Sequence, residues 1–206
     1  MILFLFYLII FALSIQAEAT SLLTDRFHIH LLRGSNQATM LNKHTALARQ
    51  TTTGLNDYNF DQSQYYAVSG GVRIASLPLA ITVGYRNAHS YRTELEQTGL
   101  RINYTQHRLG LRWFKAIRPA VVIYAGAGVA DHRIYERVNY KNGTTVTGQY
   151  IRLGFYTEVA GLLQFANQFY AGVTVDYSEA ADVAATSAGS TDLSEVGYGI
   201  LVGRSF

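Results

Sequence analysis

The feature that most constrains this chain is parity. In residues 79–93, Leu79, Ile81, Val83 and Tyr85 alternate with Ala80, Thr82, Gly84 and Arg86. In 104–115, Leu109, Leu111 and Trp113 oppose Arg108, Gly110 and Arg112. Segments 64–75, 149–165 and 168–180 repeat the rule, and the internal charges always fall on the polar side. Side chains along a β-strand point alternately to opposite faces. The chain must therefore fold as β-structure with one greasy face and one polar face. The polar face is rich in Gly, Ala and Ser around isolated Arg residues. A soluble sandwich with one wet face, the alternative, would carry Lys, Glu and Thr there. Small residues around sparse arginines suit a narrow closed interior better.

The breaks between these runs have two lengths. Pro78 and Pro119 sit in short ones, as does Ala166-Asn167. Proline cannot donate to a sheet ladder, so it belongs where strands stop. Longer polar breaks lie at Gly34–Ser63, Glu94–Asn103, Val138–Gly148 and Ala181–Leu193. Asn142-Gly143 supplies a tight reversal in the third. Short and long connections thus alternate, as do the periplasmic turns and outer loops of membrane barrels. Strands are expected near 25–33, 64–75, 79–93, 104–115, 120–135, 149–165, 168–180 and 194–206. The expected fold is all-β, an eight-stranded antiparallel transmembrane up-and-down β-barrel. Arg on its lipid face at mid-depth would cost about 2–4 kcal/mol, which explains the segregation of charge. Aromatics gather at both ends of the outward face: Trp113, Phe165, Phe169 and Phe206 near the short turns, Tyr66, Tyr91 and Tyr177 toward the long ones.

Composition agrees. Charged residues are only 15%, against 15 Tyr and 18 Gly in 206 residues. With no Cys, disulfides and thiol chemistry are excluded. A net charge of +3 without any basic run gives no footprint for nucleic acid. Residues 1–13 (MILFLFYLIIFAL) are apolar but shorter than the about 20 needed to span a bilayer. Ala17-Glu18-Ala19 follows like a cleavage site, so residues 1–19 read as a signal peptide and 20–206 as the barrel domain. A short membrane anchor is the other reading of that segment.

Eight strands leave an interior just wide enough for side chains. Counting up from the short turns sets Arg86, Arg108, Glu158 and Asp176 at one height, with Gly126, Gly128, Gly197 and Gly199 leaving space between them. A lumenal cluster of two Arg and two carboxylates is expected to plug the tube. The alternative is an ion pathway lined by Arg73, Arg86, Arg92, Arg108, Arg112 and Arg152.

Little points to catalysis, and no catalytic residue is assigned. His89 and His107 face outward on adjacent strands, where they could serve a lipid-modifying hydrolase. Ser90 has the opposite parity, and interfacial His among Tyr residues is the plainer reading. His28 and His30 share a face of the first strand. Without an evident third ligand they suit lumenal hydrogen bonding better than a metal. No metal or cofactor is expected.

Certain stretches carry a family resemblance: Gly84-Tyr85-Arg86, Tyr91-Arg92-Thr93-Glu94-Leu95-Glu96, Tyr124-Ala125-Gly126-Ala127-Gly128-Val129 and terminal Phe206. With these, residues 20–206 resemble the small outer-membrane β-barrel superfamily of the OmpA transmembrane domain, the OmpX/Ail proteins and the opacity adhesins. The resemblance implies a place in the bacterial outer membrane among its lipids and lipopolysaccharide. It also implies surface display, often with adhesion, serum resistance or envelope stabilisation. Phe206 resembles the signal read by the barrel-assembly machinery. The expected protein is a monomer, not an enzyme, whose loops carry recognition of a host or matrix ligand. The candidates in the largest loop are Lys43, Arg49, Asp57, Tyr58 and Asp61. A lipid A-modifying enzyme and a small channel are the alternatives.

Overall fold

The computed structural model describes residues 25–75 except 43–56, and 77–206 except 96–97, 141–142, 166–167 and 185–189. Eight strands follow in order: β1 (Phe27–Asn42), β2 (Asp57–Arg73), β3 (Leu79–Leu95), β4 (Thr98–Arg118), β5 (Val121–Tyr140), β6 (Thr145–Gln164), β7 (Phe169–Ala184) and β8 (Ser190–Ser205). Each pairs antiparallel with its neighbour, and β1 pairs with β8, so the sheet closes on itself. The final residue completes the seam: Arg26 N donates to the Phe206 carbonyl at 2.9 Å, and Phe206 N donates to the Phe27 carbonyl at 2.9 Å. Closure leaves no open sheet edge across the apolar belt, which is what allows strands to cross lipid.

The two faces separate as parity requires. Val83, Leu109, Leu153, Val173 and Ile200 stand exposed on the outside, while Arg86, Arg112, Tyr65 and Tyr124 are fully buried inside. A strand rises about 3.3 Å per residue. Tilted at 35–45°, ten residues climb about 25 Å, the height of an apolar belt. On β5 that climb leads from Val121 to Asp131, where the outward face turns polar. Trp113, Phe165, Phe169 and Phe206 mark the lower margin, all exposed. Arg204 lies outward among them, its guanidinium 5.1 Å from the Phe169 ring centre and 4.7 Å from that of Phe206.

Strands run further outward than the apolar pattern does. β1 continues to Asn42 and β2 begins at Asp57, so the expected loop Gly34–Ser63 shrinks to the connection 43–56. Asp57, Tyr58 and Asp61 therefore lie on strand backbone rather than in a loop, a correction to the sequence reading. The cause is physical. Above the membrane a ladder no longer needs an apolar face, so its pairing persists where alternation fades. The register shifts in four ladders: β1–β2 between Asn36 and Ala38, β3–β4 between Ala88 and Tyr91, β4–β5 between Ala116 and Arg118, and β7–β8 between Ala180 and Val183. Such bulges insert an extra residue into one strand.

Candidate functional site: a sealed, charge-balanced lumen

The even positions of β4 set out the interior in layers. Rising from the short turns they read Phe114, Arg112, Gly110, Arg108, Gln106 and Tyr104, and all of these point inward.

The lower layer centres on Arg112. It donates from Nε (2.9 Å) and Nη2 (2.6 Å) to Glu158 Oε1. Its Nη1 lies 3.2 Å from His28 Nε2 and 3.1 Å from His30 Nδ1. A guanidinium has only donors, so each imidazole must turn a lone pair toward it. The Tyr124 ring lies under the guanidinium at 4.4 Å, adding a cation–π contact. Phe114 and Tyr170 close the layer edge-on against the two imidazoles.

The upper layer centres on Arg86, on the opposite wall from β7. Arg86 pairs with Asp176, and its Nη2 lies 2.7 Å from Glu195 Oε1. Arg108 Nη2 donates to the same Asp176 oxygen at 2.9 Å. Arg86 stacks on Tyr65 at 3.7 Å and Arg108 on Tyr156 at 4.8 Å. Above them Gln106 Nε2 donates to Ser178 Oγ (2.7 Å), and Tyr104 Oη meets His132 Nδ1 at 2.6 Å. Across both layers three guanidinium groups face three carboxylates. Their charges balance, as groups withdrawn from water require.

Glycine supplies the room. A Cβ on Gly126 would lie 2.7 Å from Glu158 Oε1, and one on Gly197 would lie 2.7 Å from Asp176 Oδ2. A pocket of about 30 Å³ lies among the ion-pair layers, lined by Arg86, Arg108, Arg112, Glu158 and Asp176, room for a water or two.

Of the expected cluster, Arg86, Arg108 and Asp176 meet directly, whereas Glu158 bonds to Arg112 instead. Cross-strand rows explain the change. Arg112 pairs with Gly126, and Gly126 with Glu158, so all three share one row across β4, β5 and β6. Counting heights from the turns ignores the strand stagger that sets these rows. Glu195 was missed because it lies in a polar stretch, although it shares inward parity with Gly197 and Gly199. His28 and His30 take the lumenal hydrogen-bonding place. Lys43 and Arg49 lie outside the described residues, and so do residues 1–19, the expected signal peptide.

A second polar group sits on the outer wall. His107 pairs across the ladder with Asp131, their Nδ1 and Oδ2 3.5 Å apart, and Arg133 Nε donates to the same oxygen at 2.9 Å. Tyr85 packs against His107, with ring centres 5.4 Å apart. Asp131 follows an apolar run, and its facing residue is fixed only by the β4–β5 register. His89 falls within the β3 register shift, and its side chain is outside the described residues.

No family model and no curated relative matches the sequence. Solved structures do. Neisserial surface protein A is similar at TM-score 0.55 and 15% identity, covering 87% of this chain and 97% of that one. The N-terminal β-barrel domain of Pseudomonas aeruginosa OprF is similar at TM-score 0.52 and 14% identity, covering 88% and 98%. This chain has the fold of the small outer-membrane β-barrels. A third barrel of this fold, the attachment invasion locus protein Ail of Yersinia pestis, is similar at TM-score 0.50 and 8% identity, covering 86% and 99%, and was solved with the heparin analogue sucrose octasulfate. At such identities the likeness concerns fold, and function has to be argued from this chain's own residues.

Proposed function

We propose that the protein is an outer-membrane surface protein whose barrel is a rigid structural carrier and whose outward connections bind ligand. The observation that supports this most is the packed lumen, where two charge-balanced layers enclose a pocket of about 30 Å³. A solute route is disfavoured by that packing, and recognition then falls to loops held on a rigid scaffold. The connection 43–56 carries Lys43, His44 and Arg49 and contains no Asp or Glu. Such a segment suits an acidic glycan, the chemistry of the sulfated sugar held by Ail. Asp57, Tyr58 and Asp61 follow at the head of β2 and would border it.

The test replaces 43–56 with a short Gly/Ser linker. The trimmed protein should keep heat-modifiable gel migration and lose retention on immobilised heparin, and the intact protein should release with rising salt. Equal retention by the trimmed form overturns the reading. Discrete conductance steps in a planar bilayer would overturn the sealed carrier and favour transport.

The outward His107–Asp131 contact favours a second reading, a lipid-modifying enzyme with His107 as base. That reading requires an altered lipid A mass on expression, abolished by His107→Ala. An unchanged mass spectrum rejects it.

A further inference from the structure

Among the described residues, Arg33 and Arg133 stand on the outer wall at the upper margin of the apolar belt, and they differ in one respect. Arg133 brings its own counterion, Asp131. Arg33 is exposed on β1 between Ile200 of β8 and Tyr66 of β2, with Leu31 below it. Its contacts are neutral: Nη2 donates to Gln64 Oε1 at 3.3 Å, and the guanidinium lies 5.5 Å from the Tyr66 ring centre. Among the described residues no carboxylate pairs with it. An uncompensated charge beside lipid is unfavourable. Arg33 thus presents a cation, held by two side chains, that the described residues leave without a counter-charge.

Beside it the wall carries an open, shallow groove. A groove of about 1460 Å³ runs over the outside from β7 through β8 and β1 to β3, with Leu31, Val68, Val173, Ile200 and Val202 on its apolar surface and Arg33 at its head. That exceeds the roughly 300–1,000 Å³ of an ordinary small-molecule site. Its chemistry is amphipathic: aliphatic where acyl chains lie, aromatic at Tyr66 and Tyr198, cationic at the level of headgroups. Arginine's fork matches phosphate oxygens bidentately.

We infer that this groove is a specific site for a phosphorylated lipid of the outer leaflet, with its acyl chains against the β8–β1–β2 wall and its phosphate on Arg33. The site is independent of the lumen and of the connection 43–56.

The test uses the full barrel in detergent micelles, with lipid A as probe and native mass spectrometry as readout. The wild type should retain one lipid A under conditions that strip the phosphate-free form. Arg33→Gln should reduce that retention at least tenfold while keeping heat-modifiable migration. Arg133→Gln should leave it unchanged, because the cation there is already paired. Equal retention by Arg33→Gln, equal retention of phosphate-free lipid A, or no retention by the wild type would each overturn the proposal.

Discussion

Arginine lies on both walls of this barrel and is handled differently on each. Inside, Arg86, Arg108 and Arg112 each have a carboxylate and a tyrosine face. Outside, Arg133 has a partly exposed Asp131, and Arg33 has, among the described residues, Gln64 and Tyr66. In the lumen the arginines are balanced by Asp176, Glu195 and Glu158 of the chain itself. The outer wall borders headgroups, so a cation there can be balanced by the surroundings. Interior electrostatics therefore serve closure, and exterior electrostatics serve contact with the envelope.

The contrast is open to attack by substitution. The largest effect is expected from Glu158→Ala, which orphans a fully buried Arg112 and should destabilise the barrel by about 3–5 kcal/mol. Urea titration followed by gel mobility reads this directly, and an unchanged midpoint would mean that the lower layer contributes nothing to closure. Next, Val173→Arg places a charge on the exposed belt and should cost about 2–4 kcal/mol if it reaches mid-depth. A soluble protein would tolerate that change. Smaller again is Gly126→Val, whose added methyls collide with Glu158 and should cost about 1–3 kcal/mol. Gly161→Ala, where a Cβ meets nothing within 4 Å, is its control and should be near neutral. Smallest is Asp131→Asn, which breaks an exposed pair worth about 0–1 kcal/mol. A loss as large as that of Glu158→Ala would erase the difference between the walls.

Much of this was written in the sequence. Where a strand borders lipid on one side and a packed lumen on the other, solvation dictates every second residue, so β3, β4, β6 and β7 could be read from parity. The same rule is silent above the membrane, which is why Asp57, Tyr58 and Asp61 were assigned to a loop while the backbone keeps them on β2. Arg86, Arg108 and Asp176 were legible as inward charges near one level. Which carboxylate meets which arginine depends on register, and register is set by pairing along the whole sheet rather than by any local motif. Glu158 therefore bonds to Arg112, which lay outside the expected cluster, and the partnership of His107 with Asp131 became visible only when β4 was laid against β5. Glu195 could have been found by carrying the parity of Gly197 two residues further back.

The most direct test of two opposed walls is a nitroxide scan along β7 from Val173 to Ser178 in lipid bilayers, reading collisions with oxygen against a water-soluble nickel complex. Labels at Val173, Val175 and Tyr177 should show oxygen-rich, nickel-poor collisions, alternating with poor access to both reagents at Thr174, Asp176 and Ser178. Nickel access at Val173 and Val175 equal to that in solution, or no alternation of period two, would contradict the account.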